Sequence, residues 1–195
     1  FKPVLWSTVE KTALADAEVE YMDHTSNTIY TAFKIKETNK DFLKDASVII
    51  WTTTPWTIPA NKALAFNNNI EYSVLEIENL EYFKGKKIVV AKNLIKSISN
   101  ECGLKNFKEL KTFKGSEFKG TICSHPFDKM EFDYDVPMLD ANFVNLEQGT
   151  GIVHCAPSHG PDDFNLCLNN GIKAIETVDG DGKYTNYVKL FEGMY

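Results

Sequence analysis

The chain has 195 residues, of which 43% are hydrophobic, 12% aromatic and 25% charged, a composition typical of a folded protein rather than a disordered or fibrous one. Its net charge of −6 argues against a protein that holds nucleic acid through many phosphate contacts of its own. The longest apolar stretches, residues 46–51 and 86–91, are far shorter than the roughly 18 residues of a membrane span. We expect residues 1–195 to form a single domain with its own core and no membrane contact.

The four cysteines of the chain include no C-x-x-C pair. Neither a disulfide framework nor a structural zinc site is therefore expected, and the cysteines indicate a reducing compartment. The chain begins without an initiator methionine and without the basic and apolar regions of a signal peptide. We expect a cytoplasmic protein and interpret the chain as an excised part of a longer one.

Runs rich in β-branched and aromatic residues predict five strands. These runs cover residues 28–35, 48–54, 70–77, 86–91 and 149–154. Two lysine-rich stretches with interspersed glycine and asparagine, residues 81–87 and 105–119, are interpreted as solvated turns, with phosphate contact as the alternative.

Apolar residues fall at helical spacing in residues 93–102 and 162–169. The second helix has well-marked ends, because Pro161 occupies a position where a first-turn proline is tolerated and Gly171 follows the last apolar position. Strands with few, short helices predict a mainly β fold (α+β), arranged as a closed or nearly closed β-barrel.

Residues 51–61 (WTTTPWTIPAN) are the first segment with distinctive chemistry. Pro55 and Pro59 cannot continue a sheet ladder, so the threonines are predicted where a strand ends and the chain turns. Four threonines in six residues supply donors and acceptors without charge, which suits the binding of an ester, a ribose or a water. The simpler interpretation is that threonine favours strands and that its hydroxyl caps turns.

Residues 149–163 (GTGIVHCAPSHGPDD) are the second such segment. A strand leads into a loop and a helix there, so His154, His159, Asp162 and Asp163 could converge on one pocket. Alternatively, His154 is a core histidine, His159 an exposed loop residue, and the aspartates stabilise the helix N-terminus. The spacing matches no zinc pattern such as H-E-x-x-H, so no metal is expected.

Together, residues 51–61 and 149–163 resemble the two characteristic segments of the editing domain of isoleucyl-tRNA synthetases, an insertion in the connective peptide of these class I enzymes. Residues 2–6 and 12–21 resemble the entry into that domain, and residues 178–185 resemble its exit. The resemblance therefore brackets almost the whole chain.

Two sequence differences narrow the resemblance. Valyl and leucyl relatives characteristically read Thr-Thr-Arg-Pro, whereas this chain has Thr53-Thr54-Pro55 without an arginine. The His-Ile-Gly-His and Lys-Met-Ser-Lys-Ser signatures of the ATP-binding body are missing, so ligase activity and ATP binding would belong to the full-length enzyme alone.

The resemblance implies a deacylase that hydrolyses the ester of valyl-tRNA specific for isoleucine, with valyl-adenylate as a second candidate substrate, because a synthetic site discriminates poorly against a ligand one methylene smaller. No cofactor, covalent intermediate or metal is implied. Asp163 would bind the α-ammonium group, His154 would exclude isoleucine, and Trp56 would support the wall. The ribose, the ester carbonyl and the water would be held by Thr53, Thr54, Thr57 and Asn61. These four residues and Asp163 form the expected catalytic set. His154 as a general base is the minority alternative.

The implied partners are the tRNA 3′ end that carries valine and the remainder of the synthetase chain, with the domain itself monomeric. Two alternatives stay open: a non-catalytic module that binds the tRNA acceptor end, and a domain that edits threonyl-tRNA in a valyl-type enzyme. Small alanine, cysteine and threonine esters are candidate secondary substrates.

Overall fold

The structure is a computed structural model that describes residues 2–79 and 84–195. Its strands are β1 (Trp6–Ser7), β2 (Thr12–Ala13), β3 (Ile29–Glu37), β4 (Ala46–Thr52), β5 (Ala63–Phe66), β6 (Glu71–Ile77), β7 (Lys87–Ala91), β8 (Phe107–Lys114), β9 (Ile122–Ser124), β10 (Asp135–Asp140) and β11 (Val153–Cys155). Its α-helices are α1 (Ile95–Cys102) and α2 (Pro161–Asn169). The mainly β fold with short helices is confirmed.

Nine strands form one sheet in the order β11-β5-β10-β9-β3-β4-β7-β6-β8, and β1 pairs with β2 in a separate hairpin. Two neighbouring pairs, β4 with β7 and β5 with β10, are parallel, and the others are antiparallel. The sheet is not closed into a barrel, because no pairing joins β11 to β8 among the described residues.

The loop before β11 explains an error in the strand prediction. The sequence pattern predicts a strand over residues 149–154, but only Val153–Cys155 is extended in the sheet, because Gly149 and Gly151 turn the chain at φ values of 76° and 73°. The loop instead crosses back over the sheet, where Thr150 O accepts the Ala91 N–H at 2.8 Å.

The remaining four strand predictions are confirmed as β3, β4, β6 and β7, each within two residues at either end. The core lies on these strands and on the turn after β8, with Phe33, Ile50, Tyr72, Val89 and Phe118 fully buried. The sequence pattern does not predict strands β5, β9 and β10.

The predicted solvent exposure of residues 105–119 is confirmed for the lysines, but the prediction of turns is wrong, because residues 107–114 form the edge strand β8. Its lysines are exposed while Phe113 is buried against Tyr72. Exposed lysine is characteristic of edge strands, where it opposes pairing with another chain. The other lysine-rich stretch falls partly on residues 81–83, which lie outside the described residues.

Both predicted helices are present. A 3-10 turn, Lys92–Leu94, leads into α1, and Gly103 ends it in the left-handed conformation at φ 66°. Helix α2 begins at Pro161, and Gly171 (φ 76°) follows its C-cap. Among the described residues, no helix is long and apolar enough to cross a membrane.

A small apolar cluster fixes α2 against the sheet. Ala63 and Ala65 of β5, Cys155 of β11 and Cys167 of α2 are buried together. Because the last turn of α2 is held in this cluster, its first turn has a fixed position beside the end of β11. This arrangement places Asp163 near His154.

Candidate functional site

The threonine-rich segment forms a strand end followed by a tight turn, as predicted. Strand β4 ends at Thr52, and Pro55–Ala60 is a 3-10 helix with Pro55 in its first turn. The Thr52 hydroxyl oxygen accepts the Thr54 N–H at 3.0 Å, and Thr54 O accepts the Thr57 N–H at 3.0 Å. These local bonds turn the hydroxyl-bearing residues toward β11.

Three side chains from distant parts of the chain hold the carbonyl groups of this turn. His125 Nε2 lies 2.9 Å from Ile58 O, the Tyr134 hydroxyl donates to Asn61 O at 2.7 Å, and the Tyr184 hydroxyl donates to Trp56 O. The turn is therefore fixed from behind at several points.

His125 is a buried neutral histidine with a determined tautomer. Its Nδ1 accepts the Phe127 N–H at 3.1 Å, so its Nε2 carries the proton and donates to Ile58 O. Burial lowers its pKa to about 4. No local motif marks His125 or Tyr134, so neither residue is predicted from the sequence.

A buried chain of hydrogen bonds connects Asn61, His154 and Thr57. Asn61 Nδ2 donates to His154 Nδ1 at 2.8 Å and to Ala63 O at 2.9 Å, and Thr57 Oγ1 donates to Thr54 O at 2.9 Å. Since Nδ1 is an acceptor, His154 carries its proton on Nε2, and that N–H donates to Thr57 Oγ1 at 2.9 Å.

His154 is consequently a neutral ring with both nitrogens engaged. Burial lowers its pKa to about 3, and the nearby His125 and His159 contribute to the same shift. It therefore carries no charge at neutral pH, and its one lone pair is used by Asn61. His154 is thus buried and fully hydrogen-bonded, as the alternative of a core histidine expects. Its ring nevertheless lines a cavity.

That cavity has a volume of about 350 Å³ and lies between the turn after β4 and the start of α2. Asn61 is not among the described residues that line it, because its amide is directed into the interior behind His154. The structure therefore places Asn61 behind His154, and direct contact between Asn61 and the substrate stays a prediction. The other six predicted site residues line the cavity: Thr53, Thr54, Trp56, Thr57, His154 and Asp163.

Asp163 supplies a carboxylate to this cavity from the first turn of α2. Its Oδ2 accepts the Ala156 N–H at 2.9 Å, and a β-carbon added at Gly160 would lie only 3.0 Å from the same oxygen. Burial raises the pKa of Asp163, while hydrogen bonds from Ala156 and Cys155 oppose that shift. Asp162, in contrast, is exposed at the helix end.

His159 also lines the cavity, so the interpretation of this residue as solvent-exposed is wrong. Its ring is half-buried and meets the Trp56 indole edge to face, with centroids 5.0 Å apart and an angle of 82°. Its Nε2 lies 2.8 Å from Thr177 Oγ1. Burial lowers the pKa of His159.

Comparison with known proteins identifies this arrangement. The profile of the family described as "Leucyl-tRNA synthetase, editing domain" matches residues 25–194. The chain belongs to this family of editing domains. The isoleucine--tRNA ligase of Pelagibacter ubique is 68% identical over 195 residues, all of the chain, and that of Gluconobacter oxydans is 46% identical over 200 residues. The resemblance to isoleucyl-tRNA synthetase editing domains is thus confirmed.

The editing domain covers 22% and 21% of the lengths of these two ligases, about one fifth. Solved structures show the same fold. The cytosolic leucyl-tRNA synthetase editing domain of P. knowlesi matches with a TM-score of 0.59 at 16% identity, covering 73% of this chain and 60% of that one. The corresponding P. falciparum domain matches with a TM-score of 0.54 at 19% identity, covering 74% and 66%.

Proposed function

We propose that this editing domain hydrolyses the ester of valyl-tRNA specific for isoleucine. The observation that carries the proposal is the composition of the 350 Å³ cavity, in which uncharged hydroxyls, the His154 and His159 rings and the Asp163 carboxylate face a common space. An aminoacyl ester offers the matching groups, which are an ammonium, a small side chain, an ester carbonyl and a ribose.

Asp163 would bind the α-ammonium group. Its carboxylate is held by the Ala156 N–H and is partly removed from solvent. A charge-assisted hydrogen bond in such a site is about twice as strong as one between neutral groups. Binding of the cation would also favour the charged carboxylate and so oppose the effect of burial on its pKa.

His154 would form the wall that excludes isoleucine. Its ring is 8% exposed and fixed at both nitrogens by Asn61 and Thr57. A ring held in this way cannot turn aside without breaking a buried hydrogen bond, and forcing one methylene into a packed site costs roughly 1–3 kcal/mol. Steric exclusion by this wall would admit valine and reject isoleucine.

Hydrolysis would proceed without a strong base. The His154 lone pair is occupied by Asn61, so that ring cannot accept a proton from water unless this bond breaks. The exposed hydroxyls of Thr53 and Thr54 would instead orient the water and the ester carbonyl, and positioning of an already labile ester can supply much of the rate. Thr57 and Asn61 would act by holding His154, and Trp56 would close the wall.

The partners in this proposal are the tRNA 3′ end and the rest of a synthetase chain. With a net charge of −6, the domain would hold RNA weakly by itself, and most phosphate contacts would come from the longer chain. We further propose a monomeric domain that acts in the cytoplasm.

The test is hydrolysis of tRNA specific for isoleucine charged with valine, isoleucine or threonine, with the chain at high concentration and low salt. Faster loss of the valyl ester alone is expected. Preferred loss of the threonyl ester would support a valyl-type activity instead, and binding without loss of any ester would support a non-catalytic acceptor-end module.

Asp163→Asn tests the ammonium-binding role most sharply. The amide oxygen can still accept the Ala156 N–H while the charge is lost. We expect kcat/KM for the valyl ester to fall by about 10- to 100-fold, the factor for a hydrogen bond to a charged group. Asp162→Asn, one residue away on the exposed side of the helix, should stay within about twofold. Equal effects of the two changes would contradict the role of Asp163.

A further inference from the structure

Two cavities share one wall in this domain. Beside the 350 Å³ cavity lies a larger one of about 750 Å³, and the side chains of Trp56 and His159 line both. Trp56 is 52% exposed, so packing against the core does not by itself fix its indole. Whatever holds these two side chains therefore determines the shape of the smaller cavity.

The side chain of His159 connects this wall to a buried hydroxyl. Its ring packs nearly at right angles to the Trp56 indole, and its Nε2 is 2.8 Å from Oγ1 of Thr177, which is 1% exposed. The backbone N–H of His159 also donates to Ala156 O at 2.9 Å. The backbone of His159 is thus fixed by Ala156, and the outer nitrogen of its ring is fixed by Thr177.

Thr177 belongs to a self-bonded hairpin, residues 176–185, called here the support loop. Within it Thr185 N–H donates to Thr177 O at 3.1 Å, and Val178 pairs with Tyr184. The Tyr184 hydroxyl donates to Trp56 O. The support loop therefore acts on Trp56 in two ways. Its Tyr184 contacts the Trp56 backbone directly, and its Thr177 holds His159, which packs against the indole.

We propose that His159, held by Thr177, is a positioning residue that fixes the Trp56 indole and thereby the discrimination of the editing cavity between side chains that differ by one methylene. The proposal rests on the proposed ester hydrolysis for its effect on specificity. Its structural part, the dependence of the Trp56 position on the His159–Thr177 hydrogen bond, stands on the geometry of the site alone. A wall that excludes by size works only if it cannot move.

The test uses a matched pair of substitutions outside the cavity. Thr177→Val removes the hydroxyl at nearly constant volume, and Thr177→Ser keeps it. The ratio of valyl to isoleucyl ester hydrolysis should fall about fivefold in Thr177→Val, the factor that corresponds to one ordinary hydrogen bond, and return to the original ratio in Thr177→Ser. An unchanged ratio in Thr177→Val would overturn the specificity role.

A second measurement does not depend on activity. The indole N–H resonances of Trp6, Trp51 and Trp56 can be followed by NMR, with Trp6→Phe and Trp56→Phe used for assignment. The Trp56 signal should shift or broaden in Thr177→Val and in His159→Phe, which keeps the ring but not the hydrogen bond, while the Trp51 signal reports an intact fold. An unmoved Trp56 signal in both variants would overturn the positioning role even if no ester were hydrolysed.

The pH dependence distinguishes positioning from proton transfer. The pH profile of valyl ester hydrolysis should keep its shape in His159→Phe if the ring only supports Trp56. Loss of the acidic limb of that profile would identify His159 as a general base and would overturn the proposal.

Discussion

Replacement of Thr57 by valine tests the buried chain that holds His154. Valine has nearly the same shape as threonine, so the change removes one hydroxyl without leaving a cavity. Thr54 O then loses the hydroxyl donor while it keeps the Thr57 backbone N–H, and the His154 Nε2–H loses its acceptor. The proton cannot move to Nδ1, because Asn61 still donates to that nitrogen.

The magnitude follows from the two lost contacts. A buried donor left without a partner costs about 1–3 kcal/mol, and a lost neutral hydrogen bond costs about 1 kcal/mol. We expect the free energy of unfolding to fall by about 2–4 kcal/mol in Thr57→Val, as measured by urea denaturation at pH 7. Thr57→Ser, which keeps the hydroxyl, should lose only about 1 kcal/mol for its missing methyl group.

Thr53→Val provides the surface control. Thr53 is exposed, and a substitution at such a position usually changes stability by less than about 0.5 kcal/mol. If Thr57→Val were no more destabilising than Thr57→Ser, the assigned direction of the hydrogen bonds around His154 would be wrong.

Two further predictions concern the same site. Burial holds the pKa of His125 at about 4 and that of His154 at about 3, against about 6.5 in the unfolded chain. The unfolded state therefore binds more protons than the folded state between pH 4 and 6.5. The free energy of unfolding should be highest above pH 6.5 and should fall by roughly 2–4 kcal/mol as the pH drops to 5, as measured by denaturation at each pH. A stability independent of pH in this window would contradict the neutral, buried state of both rings. Gly160→Ala would place a β-carbon 3.0 Å from Asp163 Oδ2, so we expect about a tenfold loss of valyl ester hydrolysis at unchanged secondary structure.

Elements with local signals are predictable from the sequence. Pro161 and Gly171 mark the ends of α2 within a few residues, and the proline pair after the threonines marks the end of β4. Such signals act through φ restriction and missing donors, which depend on the residue itself rather than on distant contacts. For the same reason, the amino-acid sequence alone is enough to locate the two segments with distinctive chemistry.

Features set by the assembled sheet are not predictable in this way. Strand β8 is held by backbone pairing with β6. Its lysines do not form a pattern that predicts this pairing from the sequence. His125 and Tyr134 act on the turn only because the fold brings them beside Ile58 and Asn61, 67 and 73 residues away in sequence. Asn61 lies in the segment predicted to line the cavity, but the 3-10 turn directs its amide to the opposite side of His154.

The direction of the hydrogen bonds decides which kind of hydrolysis this cavity can support. Asn61 is fixed as a donor because its amide nitrogen also contacts Ala63 O, and this makes His154 Nδ1 an acceptor and Nε2 a donor. A histidine in this state presents a rigid, uncharged surface and has no lone pair for water. Under the proposed function, the Thr53 and Thr54 hydroxyls and the Asp163 carboxylate would make the polar contacts with the substrate. Such a site would gain selectivity from a wall that cannot rotate, and its rate would come from alignment of a labile ester rather than from proton abstraction.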